Sequence, residues 1–116
     1  MLKALAVVAA LGLSIPAAPV FADTPAQLAC KSALDGQRTI VRKEAVRAVD
    51  SSYRVSVVRF CMGVQLNDFG NAAGLGKTIG ANPVLAAALA RHGWRTDDVT
   101  SIAINGKWVR LYIHRE

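Results

Sequence analysis

The chain has little of what a small enzyme would need. It contains no Cys-x-x-Cys pair and no Gly-x-Ser-x-Gly elbow, and His92 and His114 are its only histidines. The first absence leaves no dithiol redox site, and the second removes the strained turn that presents a serine nucleophile. Asp97 and Asp98 are adjacent, so on a strand they would point to opposite faces and make a poor carboxylate pair; a turn or a helix cap explains them better. His92 falls near the end of a predicted helix, where an imidazolium complements the helix dipole. No catalytic residue, metal ligand set or cofactor is therefore expected. The chain also lacks internal repeats and low-complexity linkers.

Long apolar runs are missing everywhere except at the start. Lys3 precedes a nearly unbroken apolar stretch, Ala4 to Ile15. Pro16 breaks it, and Val20-Phe21-Ala22 has small residues where signal peptidase reads them. About a dozen apolar residues are too few to span a bilayer. Residues 1–22 thus read as a cleaved signal peptide, and 23–116 as a single small domain without a transmembrane segment, periplasmic or secreted from a bacterium. Without the leader 94 residues remain, and the net charge of +6 falls to +5 as Lys3 is lost. A positive surface favours an envelope protein, a polysaccharide or an anionic surface as partner. Nucleic acid is not expected.

Two cysteines, Cys30 and Cys61, remain in the mature segment. In an exported domain of this size an even count reads as a disulfide, closing a loop of about 30 residues and contributing roughly 3 kcal/mol. Lipidation at Leu28-Ala29-Cys30 is not expected, because Gln27 stands where an apolar residue is wanted and the apolar stretch ended well upstream.

Thr24-Pro25 with Gln27 predicts a capping box and proline at the first helical position, with a stop at Asp35-Gly36. Ala26, Cys30, Ala33 and Leu34 would share its inward face. Residues 37–49 fit both a helical stripe (Val41, Ala45, Ala48, Val49) and a strand, and both stay open. Tyr53 to Met62, rich in Val and Phe, reads as a strand. Asn71 is expected to cap a short helix over 72–80 whose Ala72, Leu75 and Ile79 face the core. Asn82-Pro83 opens a helix over 84–92, closed by Gly93, with Leu85, Ala88, Leu89 and His92 along one side.

Val99 to Ile104 and Lys107 to His114 flank Asn105-Gly106, a strong hairpin signal. A two-residue Asn105-Gly106 loop would set Ala103 against Trp108, Ile102 against Val109 and Thr100 against Leu111. Thr100, Ile102, Ile104, Val109, Leu111 and Ile113 then form the core face. The opposite face carries Ser101, Ala103, Trp108, Arg110, Tyr112 and His114. Trp108, Arg110, Tyr112 and His114 make an aromatic and basic row suited to stacking on a ring and meeting an anion. Burial against the first part of the chain or a second subunit would also account for it.

Asn71 to Thr78 superficially matches a phosphate-binding loop. However, Asn71 occupies the first glycine position, Gly70 lies one residue early, and Gly80 and Pro83 interrupt the helix that should hold the phosphate. Nucleotide binding is not expected. Arg38, Arg42, Lys43, Arg47, Arg54 and Arg59 form a basic series that reads as a solvated face.

The expected architecture is α+β: a small antiparallel or mixed sheet of three or more strands with a C-terminal hairpin, packed on two or three helices. The expected function is that of a non-enzymatic binding or structural protein using the Trp108 row. The alternative is a small enzyme or enzyme inhibitor acting through the glycine-rich loop 70–80.

Overall fold

A computed structural model describes residues 23–66 and 68–116; the predicted signal peptide lies outside them. Helix α1, Pro25–Asp35, starts where the sequence places it. Thr24 Oγ1 accepts the Gln27 amide, the Gln27 side chain accepts the Thr24 amide, and Pro25 takes the first turn, where its missing N–H costs nothing. Only Cys30 and Leu34 of its predicted inward stripe are buried; Ala26 and Ala33 face solvent. Residues 37–42 are irregular, and the ambiguous stretch then forms one short helix, α2, Lys43–Arg47.

The strand β1, Arg54–Arg59, precedes helices α3, Gly76–Ala81, and α4, Pro83–Ala90. A 3-10 turn at Thr96–Asp98 leads into β2, Val99–Asn105, and β3, Trp108–Ile113, completes the fold. Among the described residues the result is an α+β fold with four helices and a mixed sheet ordered β1-β3-β2. β3 is central. It runs parallel to β1, with Arg54 opposite Trp108 and Val57 opposite Leu111, and antiparallel to β2.

The hairpin register differs from the predicted one by two residues. Asn105 pairs with Trp108, Ile104 with Val109 and Ala103 with Arg110, so the loop is Gly106-Lys107. Gly106 leads the turn at φ 58, the left-handed conformation that glycine adopts without strain, whereas Asn105 stays in the strand. A slip of two keeps the side chains from Ser101 to Ile113 on their predicted faces, but the irregularity before Ser101 brings Val99 as well as Ile102 into the core. Thr100 is an extra residue between Val99, opposite Ile113, and Ser101, opposite Tyr112.

On the inner face Val99, Ile102, Val109, Leu111 and Ile113 join Val46, Val49, Ala72, Leu75, Ile79, Leu85 and Leu89 in one core; Ile104 is only partly buried. Burial of each larger side chain contributes about 1.5–3 kcal/mol. His92, expected beside Leu89, is exposed on the turn after α4. Asn82 orders this layer. Its Oδ1 accepts the amides of Val84 and Leu85 at the start of α4, and its Nδ2 donates to the carbonyls of Val46 and Val49 beyond α2. Every hydrogen-bonding group of this buried amide is used.

Asn71 does not cap α3, which starts five residues later. Its carboxamide pairs with the open edge of β2, accepting from Ile102 N and donating to Ile102 O, both at 2.8 Å, and donating also to Thr39 O. Cys30 and Cys61 form the predicted disulfide, with Cα atoms 6.0 Å apart, tying α1 to the segment after β1.

Candidate functional site

The outer face of the sheet is divided. Its closed end holds Phe60, Ser101 and His114, all buried, and the chain at Gly70 packs directly on Ser101. Its open end presents Trp108 at 59% exposure, together with Arg110 and, from β1, Arg54 and Ser56.

Three members of the predicted row therefore share a surface and the fourth does not. Trp108, Arg110 and Tyr112 alternate along β3, and the Arg110 Nη1 lies 3.4 Å from the Tyr112 hydroxyl. Tyr112 is half-buried, its ring edge-on to Phe60 at 6.3 Å between centroids. His114 lies just past β3, 8% exposed, where its amide donates to Asp98 O and its Nδ1 is 2.9 Å from Phe60 O. A carbonyl can only accept, so Nδ1 carries the proton in that bond. His114 belongs to the closed end and offers no surface to a ligand.

Arg54 takes the place that the sequence reading gave to His114. The parallel pairing sets it opposite Trp108, with its guanidinium 5.3 Å from the indole centroid. Nothing local in the sequence marks this contact, because it depends on β1 pairing with the last strand. At the loop, Lys107 Nζ sits 4.5 Å from the Tyr53 ring centroid and donates to Ser52 Oγ. Among the described residues neither Arg54 nor Arg110 has a carboxylate within ion-pair distance. Ser56, Ala103, Asn105, Trp108 and Arg110 line a depression of about 310 Å³ between them.

Of the rest of the basic series, Arg42, Lys43 and Arg47 are exposed and form no ion pair among the described residues, as a solvated face would, whereas two members have structural contacts. Arg38 bridges Asp35 and Asp68, and Arg59 and Arg115 both stack on Trp94. A wider cleft of about 710 Å³ runs along the β2 edge between Val41, Ala45, Asn71 and Ile104. Within the glycine-rich loop, Gly70 and Gly80 pack against Ser101 and Thr96. Among the described residues no three His, Cys, Asp or Glu side chains cluster as a metal site, and no helix is long and apolar enough to cross a membrane.

Fold and face together define a small disulfide-stapled α+β domain with a basic, aromatic half-sheet exposed. No known protein family, curated protein or solved structure matches the chain.

Proposed function

We propose that the chain is an exported, non-enzymatic binding protein that captures an anionic envelope partner, a polysaccharide by preference, on the open half of its outer sheet face. The carrying observation is the exposed Trp108 indole flanked by two guanidiniums, Arg54 and Arg110, without carboxylate partners among the described residues. An indole covers the face of a pyranose ring, and a guanidinium forks onto a carboxylate. Both sit on β-strands, which hold their spacing better than a loop would. The predicted leader and the Cys30–Cys61 bridge support the export half of the reading.

Polygalacturonate, which offers both rings and carboxylates, is the probe, and neutral dextran the control. Titration should change the tryptophan fluorescence with the first and not the second. The Trp108→Ala/Arg110→Ala double variant should fold normally and lose binding by at least tenfold. Undiminished binding by a folded double variant would refute the proposal.

A further inference from the structure

We propose a second, separate site, a receptor for a phosphate group between α2 and α3. Arg47, Val49, Lys77, Thr78, Ala81, Asn82 and Pro83 line a depression of about 430 Å³ there. Two of these side chains are cations and none is a carboxylate. Neither Arg47 nor Lys77 forms an ion pair among the described residues. Asp50, the acid nearest in sequence to the Val49 wall, is held by the Ser52 amide and hydroxyl.

The second observation is Thr78. It is 9% exposed and lines the depression, so a hydroxyl belongs to the same wall as the two cations. A hydroxyl there adds a donor that an oxyanion seated beside the two cations can use. The wall behind is fixed, because Asn82 has spent its whole amide on α2 and α4. The N-terminal end of the eight-residue α4 faces the same depression and adds positive potential. It adds no free amide there, since Pro83 has none and Asn82 takes the next two.

The donor set selects the ligand. A guanidinium fork, an ammonium point charge and a hydroxyl on one mouth suit a tetrahedral dianion, which has oxygens for all three. Lys77 and Thr78 are the residues that end the phosphate-loop lookalike. The structure uses them without the glycine wrap a nucleotide would need, with Arg47 approaching from another helix. The phosphate could be free in solution or carried on a lipid headgroup, and the two sources share this recognition.

The test is a titration of the isotopically labelled protein with inorganic phosphate, against chloride at matched ionic strength, followed by amide NMR spectra. Saturable shifts should centre on Arg47, Val49, Lys77 and Thr78. Arg47→Gln and Lys77→Gln, both at exposed positions, should each weaken binding about tenfold or more; Trp108→Ala should leave it unchanged, which separates this site from the sheet face. Non-saturating shifts, saturable shifts confined to other residues, or unchanged affinity in the folded Arg47→Gln/Lys77→Gln double variant would overturn the proposal. Cosedimentation with phosphatidylglycerol vesicles that the double variant loses would assign the lipid source. Phosphate binding without cosedimentation would assign a soluble one.

Discussion

The side chain of Asn71 pairs with the backbone of Ile102 as a neighbouring strand would, one bond in each direction at 2.8 Å. One residue thereby closes the middle of the β2 edge that would otherwise offer unpaired groups to another chain. Replacing Asn71 with Ala would leave Ile102 N–H and C=O without partners and release Thr39 O. The expected loss is about 2–3 kcal/mol in urea unfolding, with faster hydrogen exchange at the Ile102 amide. Stability equal to the parent would contradict this account of the edge.

Gly70 allows the chain to cross Ser101 at close range. A Cβ built there would lie 1.9 Å from Ser101 Oγ and 3.0 Å from Thr100 O. Gly70→Ala should cost about 2–4 kcal/mol, because backbone as well as side chain must move. Ser101→Ala should behave oppositely. Its hydroxyl is buried without a partner among the described residues, so removing it should leave stability unchanged or raised by up to about 1 kcal/mol. Denaturant midpoints of the two variants decide both points.

The Cys30–Cys61 bridge spans 31 residues, which corresponds to about 3–4 kcal/mol of chain entropy. Reduction, or replacing both cysteines with alanine, should lower the unfolding free energy by that order. α1 should lose protection first, since Cys30 and Leu34 are its only buried side chains. Intact mass with and without reductant and alkylation checks the bridge, and hydrogen exchange checks the order of loss.

Asp98 sets part of the acid sensitivity. Burial alone would raise its carboxyl, but hydrogen bonds from Arg115 and the Arg95 amide, together with their positive charge, hold it below the ordinary carboxylate value. A group depressed in the folded state contributes stability above its unfolded pKa, near 4, and loses it as pH falls through the folded value. Asp50 and Asp68 are depressed too, the first chiefly by Ser52 and the second chiefly by Arg38. Melting temperature should therefore fall steeply below about pH 4. Asp98→Asn should be less stable at pH 7 and show a shallower fall. Parallel pH profiles for the two proteins would remove Asp98 from this role.

The local signals were legible where one segment carries the whole cause. The Thr24, Pro25 and Gln27 cap needs only its own turn, and alternation along residues 101–113 assigns the inner sheet face whichever register the loop selects, although the bulge at Thr100 breaks it and Val99 joins the core. Trp108, Arg110 and Tyr112 were found for the same reason. What the sequence reading missed depends on contacts between distant segments. His114 continues the alternation that exposes Trp108, yet it is buried with its ring on Phe60 O and its amide on Asp98 O, both distant in sequence. Arg54 joins the face only because β1 runs beside the last strand. Asn71 resembles a helix cap by residue type, and its partner lies 31 positions away. The Asn105-Gly106 dipeptide marks the turn correctly but not which residue leads it.

The strand latest in sequence, β3, is the one both others need. Until Trp108–Ile113 is available, β1 and β2 have no mate and the inner face lacks Val109, Leu111 and Ile113. A chain interrupted at Asn105 would leave both other strands without their mate and the core without three of its members, so the sheet can assemble only once residues 108–113 have been made. For a protein threaded unfolded across a membrane, as the proposed export requires, that order of synthesis is itself a safeguard against folding too soon.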